Sequence, residues 1–182
     1  MTLLILGLIL WSLAHYFKRL APDMRANLGN PGKGIMALLI VVSVVAMIYG
    51  YRWAPFISVW YPPSFMVHIN NLLMLIAFFV YGMSATTGRL RGKMRHPQLT
   101  AVKIWAVAHL LVNGDLASII LFGGLLAWAV GSVILINRAE PDWQRPQPGD
   151  AKKDILLVVI TLVMFSVVAA IHYWLGVPPF PG

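Results

Sequence analysis

Six apolar runs, each close to the length that crosses a hydrocarbon core, leave this chain few ways to fold. They are Thr2 to Phe17, Ile35 to Tyr51, Ser64 to Thr86, Pro97 to Asn113, Leu116 to Ile136 and Ile155 to Leu175. A membrane-spanning helix needs about 20 apolar residues, within a range of about 17 to 25, because it must satisfy its backbone hydrogen bonds internally. The expected fold is therefore all-α, a polytopic bundle of six transmembrane helices forming one domain over residues 1–182. The fourth run is the weakest, since Lys103 interrupts it. Composition agrees: 59 % of residues are apolar and 11 % charged, and the mean hydropathy is +0.78, which places the chain outside the soluble class. A net charge of +8 would suggest nucleic acid in a polar chain, but here the charges sit between the apolar runs, so a nucleic-acid partner is excluded. With no cysteine, disulfides, thiolate metal sites and cysteine nucleophiles are excluded too.

The same charges give an orientation. The first, third and fifth loops carry Lys18, Arg19, Arg25 and Lys33, then Arg89, Arg91, Lys93 and Arg95, then Arg138, Arg145, Lys152 and Lys153. The opposite side has Arg52 alone. The positive-inside rule places the three basic loops in the cytoplasm and both termini outside. No basic residue precedes the first apolar run and Lys18 and Arg19 follow it, the reverse of a cleavable signal peptide, so this run is expected to remain as an anchor. Trp53, Trp60, Tyr61, Tyr173 and Trp174 fall where an outer aromatic belt is expected.

No internal repeat at a fixed period is visible, which argues against inverted-repeat transporters. In the fifth run, Gly123, Ala127 and Gly131 recur at steps of four, a small-residue stripe suited to close helix packing. Asn113-Gly114-Asp115 leaves room only for a tight turn, so the fourth and fifth runs are expected to be antiparallel neighbours. Asp115 suits a helix N-cap or, as the rival reading, an ion pair with Arg52.

The chemistry available rests on five histidines. His15 lies near the inner end of the first span, His68 in the outer part of the third, His96 before the fourth, His109 inside the fourth and His172 near the outer end of the sixth. An ionisable group inside a span is expensive, which marks His109 as a ligand or proton-transfer candidate. His172, between Ile171 and the aromatic pair Tyr173-Trp174, reads as an interfacial residue. No His-Glu-x-x-His zinc pattern and no nucleophile elbow occur. Two histidines from different helices facing an apolar interior are compatible with haem b ligation.

The stretch Arg95-His96-Pro97-Gln98, followed by Ala106-Val107-Ala108-His109 and Leu110-Leu111-Val112-Asn113-Gly114-Asp115, resembles the NnrU family of bacterial membrane proteins associated with denitrification. His15 with Arg19 and Pro22, Gly50-Tyr51, His68 and the late histidine before Gly176-Val177 extend the resemblance over nearly the whole chain. The same block is similar to plant 15-cis-zeta-carotene isomerase, a haem b enzyme. That resemblance implies a bis-histidine haem b with His109 and His15 as the metal ligands. Ala106 stands where the plant enzyme has a cysteine, so ligand exchange through a thiol is not available here. Helix arithmetic favours a different partner: His109 lies about 6 Å from the outer end of its span and should differ from His15 in depth by more than about 10 Å, whereas His68 lies at nearly its own depth. His15 and His68 both stand as partners of His109. Arg95 or His96 would meet a haem propionate if the haem reached the inner face.

Together these readings lead to a multi-pass protein of the bacterial cytoplasmic (inner) membrane with both termini periplasmic. It is expected to bind haem b and to serve denitrification or nitrogen-oxide respiration, through redox, sensing or cis-trans isomerase-like activity. The partners implied are the lipid bilayer, respiratory or denitrification membrane proteins and a lipidic small molecule. The alternative is a non-enzymatic assembly or maturation factor for a respiratory complex.

Overall fold

A computed structural model describes residues 1–180. The helices are α1 (Thr2–Leu20), α2 (Pro22–Asn27), α3 (Pro31–Arg52), α4 (Met66–Gly82), α5 (Pro97–Val112), α6 (Leu116–Ala139) and α7 (Lys152–Trp174), with a 3-10 turn at Arg89–Lys93. Among the described residues there is no strand, only an isolated bridge between Ser58 and Asp115. Helices α1, α3, α6 and α7 are long and apolar enough to cross a membrane. Helices α4 and α5 are apolar but shorter, at 17 and 16 residues. The third apolar run was expected to continue to Thr86, but the helix stops at Gly82. Beyond it, Ser84 Oγ donates to the Tyr81 carbonyl at 2.8 Å, a local bond that competes with helix propagation. The short α2 was not expected; Pro22 at its first position and Asp23 in its first turn supply the start signal.

The chain falls into two compact units. The first comprises residues 1–61 and 113–141. Here α1 packs on α3 through glycines: a Cβ on Gly7 would lie 2.9 Å from the Met47 backbone nitrogen, and one on Gly50 would overlap the Leu4 backbone. Small residues at such a crossing let two backbones approach within dispersion range. Leu4, Leu8, Met47 and Ala117 form the buried core. Helix α6 packs on α1 by placing Gly124 against Leu8 and Gly131 against the Tyr16 hydroxyl. The expected stripe therefore does not act as one face, since Gly123 meets open space and Ala127 is exposed.

The segment after α3 pairs with the turn before α6. Val59 and Trp60 N–H both donate to the Gly114 carbonyl, at 2.8 and 3.1 Å, and Leu116 N–H donates to the Ile57 carbonyl at 2.8 Å. Asp115 is the N-cap of α6, accepting from Ser118 N–H at 2.9 Å and from its hydroxyl. Capping thus prevails over the Arg52 ion pair, and Arg52 is exposed.

The second unit comprises residues 62–112 and those from Asp142 onward. Helices α4 and α5 form its main pair, and α7 packs on α4. The core gathers Val80, Met83, Ala101 and the fully buried Leu157. Helix α7 runs antiparallel to α4: Leu90 N–H, after α4, donates to Asp154 Oδ1 near the start of α7 at 3.3 Å, and Asn71 Nδ2, early in α4, donates to the Pro179 carbonyl at 2.9 Å. At the basic end two loops interlock through glycines, with Gly88 against Asp154, Gly92 against the Pro146 carbonyl and Gly149 against the Thr87 carbonyl.

Candidate functional site

His15 lies in the penultimate turn of α1, half-buried, with Ala14 beside it buried. Its Nδ1 is 2.8 Å from the Trp11 carbonyl one turn earlier. A carbonyl only accepts, so Nδ1 carries the proton and Nε2 keeps its lone pair, the tautomer that ligates a metal. The imidazole packs in a triangle with two indoles, its ring centroid 4.1 Å from Trp11 and 5.0 Å from Trp128, which lie 5.1 Å from each other. Trp128 is placed by α6, whose backbone carbonyl at that residue accepts the Tyr16 hydroxyl at 2.8 Å. The indole N–H groups of Trp11 and Trp128 are both buried without a hydrogen-bond partner. A buried donor left unmade costs about 1–3 kcal/mol, so this corner of the first unit is polar at a cost.

His109 repeats this mount in the second unit. Its Nδ1 lies 2.9 Å from the Trp105 carbonyl, and the two rings are 5.1 Å apart. Ala108, beside it, is fully buried. The five residues Trp11-Ser12-Leu13-Ala14-His15 and Trp105-Ala106-Val107-Ala108-His109 are thus a short repeat in sequence and in geometry. No fixed period announces it, but comparing the surroundings of each histidine would have found it.

The antiparallel arrangement of α4 with α7 and the course of α5 bring three histidines to one end of the second unit. His68 occupies the first turn of α4 and is exposed. His172, in the last turn of α7, fixes its Nδ1 on the Val168 carbonyl at 2.8 Å and is half-buried at the same end of the unit. His96 sits just before α5, where its carbonyl accepts from Thr100 N–H at 2.9 Å. It is thirteen residues from His109, about 20 Å along the helix, so both ends of α5 cannot touch one cofactor centre.

Among the described residues no three His, Asp or Glu side chains converge into a group that could hold a metal ion. The chemistry on offer is that of imidazoles whose Nδ1–H is held by a helix carbonyl, inside apolar helices. That donor set fits haem iron, which takes its protein ligands one imidazole at a time, and donation from Nδ1–H to a carbonyl is the usual way such a ring is oriented. Ala106, at the position of the plant cysteine, is fully buried, with no sulfur within the block.

Long apolar helices with histidines mounted inside them define a helical integral-membrane protein. A family model described as NnrU protein matches residues 3–179, nearly the whole chain, and the chain belongs to the NnrU family. No curated protein and no solved structure matches it.

Proposed function

We propose that the protein binds haem b in the bacterial cytoplasmic membrane, with His109 and His15 as the iron ligands, and serves nitrogen-oxide respiration as a redox or sensing component. The observation that carries this reading is the shared mount: on α1 and on α5 a tryptophan carbonyl one turn before the histidine holds Nδ1–H, at 2.8 and 2.9 Å. This supports His15 over His68, which stands exposed in the first turn of its helix. Haem b, when bound, supplies one-electron iron chemistry. The chain's own part is to fix each ring on its own helix through Nδ1–H.

In this reading α4 and α5 complete six spans, with the 62–65 and 113–115 segments extending their reach, and both termini are periplasmic. The deciding experiment is the absorption spectrum of detergent-purified protein after haem-replete expression, oxidised and then reduced with dithionite. Sharp reduced α and β bands of a six-coordinate haem b are expected; a colourless protein overturns the proposal. A non-enzymatic assembly factor draws on a separate observation: α7 is the least covered of the four long helices, with 11 % of its apolar window buried. Co-purification of a respiratory complex by the colourless protein would favour that role.

A further inference from the structure

A cavity of about 500 Å³ lies between α4, α5 and α7 of the second unit. That volume falls within the roughly 300–1,000 Å³ of small-molecule sites. Small residues line it: Ala77 on α4 and Ala101 on α5 bring little side chain into the space, and Gly82 lets Leu157 pack close behind it. Along α4 its wall runs from Met74 to Gly82, about 12 Å at the helical rise, and it continues past the helix end to Ala85. Polar groups are scarce along it. The Thr161 hydroxyl spends its proton on the Leu157 carbonyl at 2.8 Å, so the wall suits hydrocarbon.

The Ala85 end opens toward charge. Arg89, Arg91 and Lys93 follow Ala85 within eight residues and are exposed, as are Lys152 and Lys153 at the start of α7. The nearby acids are engaged by backbone: Asp154 accepts from Leu90 N–H at 3.3 Å and Asp150 from Lys152 N–H at 2.9 Å. An elongated apolar slot with a net basic end, where Arg89, Arg91, Lys93, Lys152 and Lys153 outnumber Asp150 and Asp154, matches an amphiphile with one hydrocarbon chain and an anionic head.

We propose that this cavity binds a free fatty-acid-like amphiphile, its chain between α4, α5 and α7 and its carboxylate on the 89–93 turn. The cavity shares Trp105 with the His109 mount, but probe binding is read on colourless protein as well as on haem-loaded protein, so failure of one proposal is distinguishable from failure of the other. The test is a fluorescence titration of the purified full chain with cis-parinaric acid and with its methyl ester, each against a detergent blank. Saturable one-to-one binding of the acid is expected, at least tenfold tighter than the ester. Ala85→Phe, at an exposed wall position, should weaken both probes at least tenfold with helicity unchanged; should that variant fail to fold, Met164→Phe, also at an exposed wall position, serves instead. Replacing Arg89, Arg91 and Lys93 by Gln should bring the acid down to the ester. Absence of saturation, equal binding of acid and ester, or insensitivity to the wall substitution would overturn the proposal. So would full displacement by phosphatidylglycerol at equal chain concentration, which would assign the cavity to bilayer lipid.

Discussion

The Tyr16 hydroxyl donates to the Trp128 backbone carbonyl at 2.8 Å, across 112 residues of sequence, and so ties α1 to α6 beside His15. Removing it by Tyr16→Phe should cost about 1 kcal/mol, the net worth of one such hydrogen bond. For a chain of this size that is a fall of about 2–4 °C in thermal midpoint, checked by circular dichroism in detergent.

Substitution tests the proposed ligand set. His15→Ala and His109→Ala should each abolish the six-coordinate spectrum, whereas His68→Ala should leave the reduced α band in place. A spectrum that survives His15→Ala but not His172→Ala would instead assign the second ligand to His172.

Asp115 holds the first turn of α6 through Ser118 N–H. Asp115→Ala should therefore lose about 1 kcal/mol, within the usual range of about 0.5–2 for an N-cap, and Asp115→Asn should keep most of it. Arg52→Gln should leave the thermal midpoint unchanged; a matching loss there would restore the ion pair.

Glycine positions separate contact from composition. Gly131→Val should displace the Tyr16 hydroxyl that lies against it and lower the thermal midpoint, while Gly123→Leu, facing open space, should stay within about 0.5 kcal/mol of the parent.

Orientation is testable without background, because the natural chain has no cysteine. Single substitutions Tyr61→Cys and Tyr173→Cys should react with a membrane-impermeant maleimide in intact spheroplasts. Arg91→Cys and Arg145→Cys should react only after permeabilisation.

Long apolar stretches announce helices in sequence because only helices satisfy backbone groups in hydrocarbon, and α1, α3, α6 and α7 were legible for that reason. Partner choice was not. These helices are apolar on most faces, so periodicity does not say which face meets which neighbour. The choice is made by single small residues such as Gly7 and Gly50, whose contacts are non-local. The Gly123 stripe looked like such a face, but the adjacent Gly124 makes the contact with Leu8. Asp115 as a cap was legible because its partner lies three residues away. That α7 brings His172 to the end of the second unit where His68 lies was not, since helix direction is set by contacts distant along the chain. The end of α4 at Gly82 rests on side-chain bonds by Ser84 and Thr86 that compete only weakly with helix.

The two compact units are threaded through one another along the chain, each broken by a segment of the other. A ribosome therefore finishes neither in one pass: α1 and α3 emerge well before α6, and α4 and α5 wait for α7 to bring Leu157 onto Val80, Met83 and Ala101. During synthesis the Trp11 side of α1 and the cavity side of α4 face lipid without their last neighbour. A stop codon just before Lys152 would leave half a core with no later element to close it, and such a product should be cleared by quality-control proteases rather than accumulate as a smaller working protein.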